Sequence, residues 1–217
     1  ADGYSNAFLL QPVIPVKLPW KKAPLGILRL TVPYVSTPDL PGVGRKDGIG
    51  DTTLLAMANM PIAKGQIIGL GTSLGFPTAG SNEFVGNGKW LAGPAYAYIN
   101  TVFKGWQLGG FGWHSWDYAN GRGGSDKPYV NQHSFQPLIV KHFSEGWYAG
   151  VQDIPWKYDF RLDNWSMPMG PRVGKVMKLG KLPVNLFGAV YYDPMTHDDA
   201  TSNTWSFKLN LTFLFPK

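Results

Sequence analysis

The stretch that indicates the fold is the last one in the chain, Trp205-Ser206-Phe207-Lys208-Leu209-Asn210-Leu211-Thr212-Phe213-Leu214-Phe215. Bulky apolar residues alternate in it with smaller or polar ones, and only Leu214 breaks the alternation. In a β-strand, this period of two places the apolar set on one face and the polar set on the other. The stretch has eleven residues, and one tilted strand needs about 9–11 residues to cross a bilayer. It also suits a strand of a soluble β-sandwich, so the choice between these folds depends on the rest of the chain.

The composition favours many strands separated by tight turns. The 217 residues include 27 glycines and 18 prolines, and only 16% are charged, against about 25% in ordinary soluble domains. There is no cysteine, which fits an oxidising compartment. No apolar run in the sequence is long enough for a transmembrane helix, which needs about 20 residues.

Short turns and long polar loops alternate along the chain. The short turns are Pro19-Trp20-Lys21-Lys22, Ala63-Lys64-Gly65, Lys104-Gly105, Glu145-Gly146 and Gly180-Lys181. The long polar segments between them are 36–51, 77–89, 118–129, 157–168 and 194–203. Short turns on one rim and long loops on the other are typical of outer-membrane barrels. We therefore predict an all-β fold, an antiparallel up-and-down transmembrane β-barrel that forms a single domain over residues 1–217.

Eleven strands can be recognised between these turns and loops. They are predicted at 7–18, 25–35, 52–62, 66–76, 90–102, 106–117, 130–142, 147–156, 168–178, 183–193 and 204–215. With eleven strands the barrel begins on the long-loop rim and ends on the short-turn rim, whereas single-chain bacterial barrels have an even number of strands and both ends periplasmic. We therefore expect about twelve strands in the full-length protein, the first of them supplied by a segment upstream of residue 1 or by another chain.

The alternation assigns polar residues to the interior of the barrel and tryptophans to its rims. The predicted lumen-lining residues are Gln11, Lys17, Arg29, Asn59, Gln136, Asn185, Lys208 and Asn210. Barrel closure is expected to bring the three cations of this set into one sector of the wall. The tryptophans predicted to form girdles at the two membrane interfaces are Trp20, Trp106, Trp147 and Trp205.

Several local motifs, taken together and in order, resemble one known family. They are Gln11-Pro12-Val13-Ile14-Pro15, Gly48-Ile49-Gly50-Asp51-Thr52-Thr53, Phe76-Pro77-Thr78-Ala79, Gly86-Asn87-Gly88-Lys89-Trp90 with Gly93-Pro94, Gln136-Pro137, Gly146-Trp147-Tyr148, Pro183-Val184-Asn185 with Gly188 and Tyr191-Tyr192, and Phe213-Leu214-Phe215-Pro216-Lys217. From about residue 8 to its end, the chain resembles the bacterial outer-membrane transporter family labelled "MetA-pathway of phenol degradation", which is sometimes mislabelled neuromedin U. The resemblance implies a barrel in the bacterial outer membrane, a transport role, no established catalytic residues, and another strand before the Gln-Pro-x-x-Pro strand.

The sequence contains no pattern typical of a catalytic or metal site. No zinc-binding spacing is found among the histidines, which are His114, His133, His142 and His197. His-Ser dipeptides occur at 114–115 and 133–134. Neighbouring side chains of a strand point to opposite faces, so the two residues of one dipeptide cannot act as base and nucleophile. A catalytic pair would have to join a histidine and a serine on different strands. Asp47, Asp51 and Asp198-Asp199 are loop carboxylates that either bind calcium or, as we expect, are solvated, with Asp51 capping the turn at the start of its strand. We predict no enzyme activity, no metal and no cofactor.

The net charge of +6 comes from scattered lysines and arginines without a basic run, so we do not expect nucleic acid as a partner. The charge suits anionic lipid or an anionic solute. The leading hypothesis is a narrow channel or transporter for small solutes, of unknown identity, in the lipid of the bacterial outer membrane. The alternatives are a structural or interaction barrel with a side-chain-filled lumen that scaffolds other envelope components, an outer-membrane lipid enzyme, and a soluble sandwich or lipid-binding barrel. About twelve strands do not decide between a filled and an open lumen.

Overall fold

A computed structural model describes residues 3–39, 42–80, 84–121, 124–180, 182–195 and 204–214. These residues form an all-β fold of fifteen strands, with one short 3₁₀ turn at Ser144–Gly146. The strands are β1 (Asn6–Leu10), β2 (Val13–Lys17), β3 (Leu25–Ser36), β4 (Asp47–Ile49), β5 (Thr52–Ala63), β6 (Gln66–Phe76), β7 (Lys89–Asn100), β8 (Trp106–Asn120), β9 (Asn131–His142), β10 (Trp147–Val151), β11 (Trp156–Asp159), β12 (Asn164–Ser166), β13 (Pro171–Leu179), β14 (Leu182–Tyr192) and β15 (Trp205–Phe213). Within the described residues, no helix is both long enough and apolar enough to cross a membrane.

All strands belong to one antiparallel up-and-down sheet. Its main path runs β1-β3-β5-β6-β7-β8-β9-β10-β13-β14-β15, which is eleven positions in chain order. Four short strands lie off this path. β2 and β4 both pair with β3, next to β1 and β5 respectively. β11 pairs with β9, next to β10, and β12 pairs with β11. The predicted all-β class and antiparallel up-and-down order are therefore confirmed for the described part of the chain, whereas the structure has fifteen strands in place of the eleven predicted.

Two of the predicted strands are interrupted, and two of the predicted loops contain short strands. The stretch 7–18 breaks between Leu10 and Val13, where Pro12 has no N–H to donate to a ladder. The stretch 147–156 breaks after Val151, and 168–178 forms the single strand β13 from Pro171 onward. The predictions of loops over all of 36–51 and 157–168 were wrong, because β4 lies in the first and part of β11 and β12 in the second. Their pairing partners lie elsewhere in the chain, so local composition does not reveal them.

The short turns lie on one rim of the sheet, as predicted. Thr101 donates its backbone N–H to the carbonyl of Gly65 at 2.7 Å, and His142 donates its backbone N–H to the carbonyl of Gly105 at 2.7 Å. The turn at 64–65 thus lies beside the turn at 101–105, and that turn lies beside the end of β9. Since successive strands run antiparallel, the longer connections lie on the opposite rim.

The two faces of the sheet differ in polarity, and the outer face is the apolar one. On β15 the side chains of Phe207 and Leu209 are 82% and 80% exposed, whereas Lys208 and Asn210 between them are partly buried. Directly opposite residues of an antiparallel pair share a face, so the ladder partners of these residues continue each face across the sheet. The described structure thus exposes large apolar side chains on one face and collects polar ones on the other.

The sheet is curled around its polar face but is not closed by hydrogen bonds between its two edges. Within the described residues, β15 pairs with β14 alone and β2 with β3 alone. On the inner face, Arg29 of β3 nevertheless contacts Phe111 of β8, and Asp153 contacts Arg172 of β13 and Lys208 of β15. The sheet therefore surrounds an interior, with unpaired strands at its edges.

Candidate functional site

An inward-pointing bulge lies between β10 and β11. It consists of Gln152, Asp153, Ile154 and Pro155, which separate the end of β10 from the start of β11. Gln152 has a positive φ of 67° and is 2% exposed, and its side-chain amide donates to the carbonyl of Ile154. A positive φ is uncommon outside glycine, and the bulge re-aims the side chains next to it. It places the Asp153 carboxylate in the interior.

The Asp153 carboxylate is bound by side chains from three strands. Arg172 on β13 donates from Nη1 to Oδ1 at 2.7 Å, and Gln136 on β9 donates to the same oxygen at 3.3 Å. Lys208 on β15 forms an ion pair with Oδ2. We call Arg29, Gln136, Asp153, Arg172 and Lys208 the interior charge cluster. It cross-links the bulge to strands that are distant in the chain.

Arg29 reaches the cluster from the opposite wall. Its guanidinium carbon lies 4.9 Å from the ring centroid of Phe111 and 5.9 Å from that of Trp113, both on β8. Three strands, β5, β6 and β7, separate β3 from β8 in the sheet, so this side chain crosses the interior. The charge of Asp153 acts on Arg29, which places both residues in one electrostatic environment.

The cluster carries more positive than negative charge and contains unpartnered polar atoms. Within the described structure, Arg172 and Lys208 contact the Asp153 carboxylate, and Arg29 lies within range of its charge. Nε of Arg29, Nε of Arg172 and the hydroxyl of Tyr191 are buried and have no hydrogen-bond partner among the described residues. Arg172 is 8% exposed and Tyr191 is 1% exposed. Buried polar groups are rarely left without partners in proteins, so these three atoms mark an incomplete polar site.

Aromatic side chains narrow the interior beside the cluster. Val140, Tyr148 and Phe187 form a buried apolar group. The guanidinium of Arg172 lies 5.5 Å, and the ammonium of Lys208 5.8 Å, from the ring centroid of Phe187. Such cation–π contacts hold the cations in place. The interior at this level is therefore lined by aromatic rings and charges.

The ladder registers place the predicted lumen-lining residues on the same face of the sheet as the interior charge cluster, and their role in lining a lumen stays a prediction. Successive ladder partners that share this face are Lys17, Leu25, Asn59, Gly69, Ala97, Phe111 and Gln136. Arg29 lies on the face of Leu25 by the period of two, and Lys208 pairs with Ala189 next to Arg172. Four of the predicted residues form hydrogen bonds within this face. Gln11 donates to Thr31 at 3.0 Å and Asn59 to the Leu25 carbonyl at 3.3 Å. Asn185 accepts from Tyr148 at 2.9 Å, and Asn210 accepts from Thr212 at 2.9 Å.

The structure brings only some of these residues together. Gln136 and Lys208 contact Asp153, Arg29 lies within range of the Asp153 charge, and Lys17 is exposed near the open edge. The expectation that Lys17, Arg29 and Lys208 share one sector of the wall stays a prediction.

A second group of contacts links the loops on the rim opposite the short turns. Asp51 accepts the backbone N–H groups of Ala79 at 3.1 Å, Gly88 at 3.0 Å and Asn87. The hydroxyl of Thr78 donates to the carbonyl of Gly50 at 2.7 Å. The prediction that Asp51 caps its own turn was wrong, because its carboxylate binds amides of the following loop. Three of the motifs quoted above therefore meet in one network that holds the loops.

The four girdle tryptophans are exposed, and two of them pair with lysines near the short turns. The ammonium of Lys141 lies 5.0 Å from the ring centroid of Trp106, and that of Lys175 lies 4.7 Å from the ring centroid of Trp147. Each tryptophan is the first residue of its strand. Trp20 lies in the turn before β3, and Trp205 begins β15 on the other rim. An apolar ring beside a cation suits the boundary of a membrane, and the girdle itself stays a prediction.

The described residues contain no group of three or more potential metal ligands of the His, Asp or Glu type. His114 contacts Asn131 at 2.8 Å, and His133 contacts the hydroxyl of Tyr96 at 3.1 Å. These histidines therefore have amide and phenol partners in place of a serine. His197 and Asp198-Asp199 lie outside the described residues.

Comparison with models of known protein families, with curated proteins and with solved structures found no match to this chain. The candidate site is therefore defined by its geometry.

Sequence reasoning missed the central member of the site, Asp153, and its neighbours Arg172 and Tyr191. The sequence predicts one uninterrupted strand at 147–156, whereas the polar pair Gln152-Asp153 before Pro155 lies in the bulge. Proline is confined to strand edges and bulges, so this pair was the available signal of a bulge. No local pattern indicates which side chains would meet Asp153.

Proposed function

We propose that this protein is an integral outer-membrane β-barrel of bacteria that provides a narrow passage for small solutes. The observation that carries the proposal is the reversed polarity of the sheet, with Phe207 and Leu209 exposed and Lys208 and Asn210 turned to the interior. Contiguous exposed apolar surface destabilises a protein in water. Contact with lipid removes that cost. In a barrel, the backbone N–H and C=O groups of each strand form hydrogen bonds with the neighbouring strands of the wall.

The resemblance to the outer-membrane transporter family supports the same location. The Lys141–Trp106 and Lys175–Trp147 pairs near the short turns supply ring and charge where lipid phosphate and hydrocarbon meet. Lysine and tryptophan side chains are favoured there because each keeps its polar end in the interfacial layer. Membrane lipid is thus the proposed partner of the outer face.

The inner face supports a passage that is selective for charge. The cluster around Asp153 carries an excess of cationic groups, and the aromatic rings beside it limit the size of a solute. Charged side chains in a constriction control which ions pass. The proposed solutes are therefore small, and anions pass more easily than cations.

A second candidate function is a filled barrel that serves as a scaffold for other envelope components. The observation that favours it is Arg29, which crosses the interior and contacts Phe111 on the far wall. Side chains that span a lumen close it unless they move. This candidate needs the same membrane location but no conduction.

The open edges support a further strand. β2 and β15 lack partners on their outer sides within the described residues, and unpaired backbone groups are costly in hydrocarbon. We propose that a segment upstream of residue 1, or another chain, pairs with both edges. The strand would complete the backbone hydrogen bonds of the wall.

Conductance across a planar lipid bilayer tests the proposed passage. Protein refolded into lipid vesicles is expected to resist extraction by alkaline carbonate and, after fusion, to give discrete current steps. Membrane insertion without current favours the scaffold. Solubility without detergent would contradict the membrane location, and release of fatty acid from a labelled phospholipid would support the outer-membrane enzyme.

A further inference from the structure

The unpartnered donors of the interior charge cluster point to a ligand. Nε of Arg172 and the hydroxyl of Tyr191 belong to side chains that are 8% and 1% exposed, and both lack a hydrogen-bond partner among the described residues. Nε of Arg29 is also buried without a partner. Arginine Nε is a donor only, and a tyrosine hydroxyl donates readily. Each of the three atoms can therefore donate to an acceptor that a bound species supplies.

We propose that Arg29, Arg172 and Tyr191 form a binding site for a small oxyanion, either a carboxylate or a phosphate. The inference names the solute class of the passage and in that sense rests on the proposed function. Guanidinium groups bind carboxylate and phosphate oxygens through paired, charge-assisted hydrogen bonds. The remaining positive charge of the cluster attracts an anion after Asp153 has paired with Arg172 and Lys208.

The site is held in place before a ligand arrives. The Arg29 guanidinium lies over Phe111 and Trp113, and the Arg172 guanidinium lies over Phe187. These contacts restrict the motion of the two arginines, so that less conformational freedom is lost on binding. The aromatic rings also exclude water, which strengthens the attraction between charges.

Asp153 acts in the site as an internal competitor. Its carboxylate already accepts hydrogen bonds from Arg172 and Gln136 and pairs with Lys208, which is the role an external oxyanion would take. Its negative charge also acts on Arg29 and on Tyr191. Removal of this charge therefore frees two cations and strengthens binding of an external anion.

Titration calorimetry on protein refolded in a non-ionic detergent tests the site. Inorganic phosphate and acetate are titrated separately at constant sodium concentration, so that their order of affinity distinguishes the phosphate from the carboxylate class. We expect saturable binding of at least one of them. In Arg29→Met the affinity falls about tenfold, as expected for the loss of one charge-assisted contact, and in Asp153→Asn it rises.

Lys175→Met is the matched control, because it removes one positive charge on the outer face beside Trp147. Its anion affinity is expected to equal that of the wild type, and an equal loss in both lysine and arginine variants would overturn the site. Melting curves provide a second readout, since an anion that binds the native state raises its stability, most in Asp153→Asn. The proposal is also overturned if neither anion gives a heat of binding or raises the melting temperature of the wild type and of Asp153→Asn.

Calorimetry in detergent and current in a bilayer separate the two proposals. Anion binding without conduction removes the passage and keeps the site. Conduction without anion binding removes the site and keeps the passage. If Arg29→Met does not refold, the opposite effect expected of Asp153→Asn still decides the matter.

Discussion

Lys208 of the last strand and Asp153 of the bulge between β10 and β11 form an ion pair across the interior, although 55 residues separate them in the chain. Arg172 shares the same carboxylate. The three side chains connect β15 to the middle of the sheet, independently of the ladder that connects β15 to β14. This cross-link joins the last strand to the bulge past β13 and β14.

The first prediction concerns the stability of this cross-link. Asp153→Asn should lower the free energy of unfolding by about 2–3 kcal/mol, because it leaves Arg172 and Lys208 largely buried without their counter-charge and the pair is only partly screened by solvent. Urea titration of the refolded protein, followed by tryptophan fluorescence, measures the change. The control Asp126→Asn removes a carboxylate from an exposed loop position and should change stability by no more than about 0.5 kcal/mol. Equal losses in the two variants would contradict the proposed role of the ion pair.

The second prediction concerns the two faces of β15. Leu209→Arg places a charge on the exposed apolar face and should destabilise the protein in lipid by about 2–4 kcal/mol near the bilayer centre. Asn210→Arg places the same charge on the inner face and should cost much less. Refolding titrations into lipid vesicles compare the variants. A similar cost for both would mean that the outer face of β15 does not meet lipid.

The third prediction concerns the loop network around Asp51. Asp51→Ala removes the acceptor for the backbone N–H groups of Ala79, Asn87 and Gly88. Loss of a carboxylate acceptor costs about 1–3 kcal/mol where the donors stay buried, so local opening of these amides should become easier. Hydrogen exchange at the three amides is expected to accelerate in Asp51→Ala and to stay unchanged in Asp163→Asn. Unchanged exchange in Asp51→Ala would show that other groups hold the loops.

The fourth prediction concerns the open edges, and the absence of cysteine makes it simple to test. A disulfide needs a Cα separation of about 4.4–6.8 Å, and two strands with a third between them lie about 9–10 Å apart. Cysteine at Ile14 on β2 should therefore fail to cross-link with cysteine at Leu209, Leu211 or Phe213 on β15 in membranes. Leu186 and Leu211 are ladder partners, and cysteines at these positions should cross-link as the positive control. A cross-link from Ile14 to β15 would mean that the two edges pair directly.

The fifth prediction concerns charge selectivity. The reversal potential in a salt gradient should indicate a preference for anions, and Arg29→Gln should weaken it because one interior cation is lost. Lys208→Gln should weaken it further, since it also leaves Asp153 with one cation fewer. Asp153→Asn should strengthen the preference for anions. A cation-selective wild type would contradict the charge assignment of the interior.

The sequence by itself determined the class of fold, the antiparallel order of the strands and the face of side chains within regular strands. The period of two in residues 205–213 is a property of neighbouring residues, and a strand turns it directly into two faces. Turns such as Lys64-Gly65 are equally local, because Gly65 takes a positive φ of 72° that glycine adopts at little cost. The inward position of Arg29, Gln136 and Lys208 followed from the same periodicity.

Only the tertiary structure decided which of these side chains meet. Asp153 binds Arg172 and Lys208 because a bulge turns it inward and because the curl brings β13 and β15 to it, and neither cause is encoded in a short stretch of chain. The short strands β4 and β12 were missed for the same reason, since each forms only against a partner elsewhere in the chain. The cluster with its unpartnered donors on Arg29, Arg172 and Tyr191 is thus a product of long-range pairing, because the free energy of a buried charge depends on neighbours that the sequence does not place beside it.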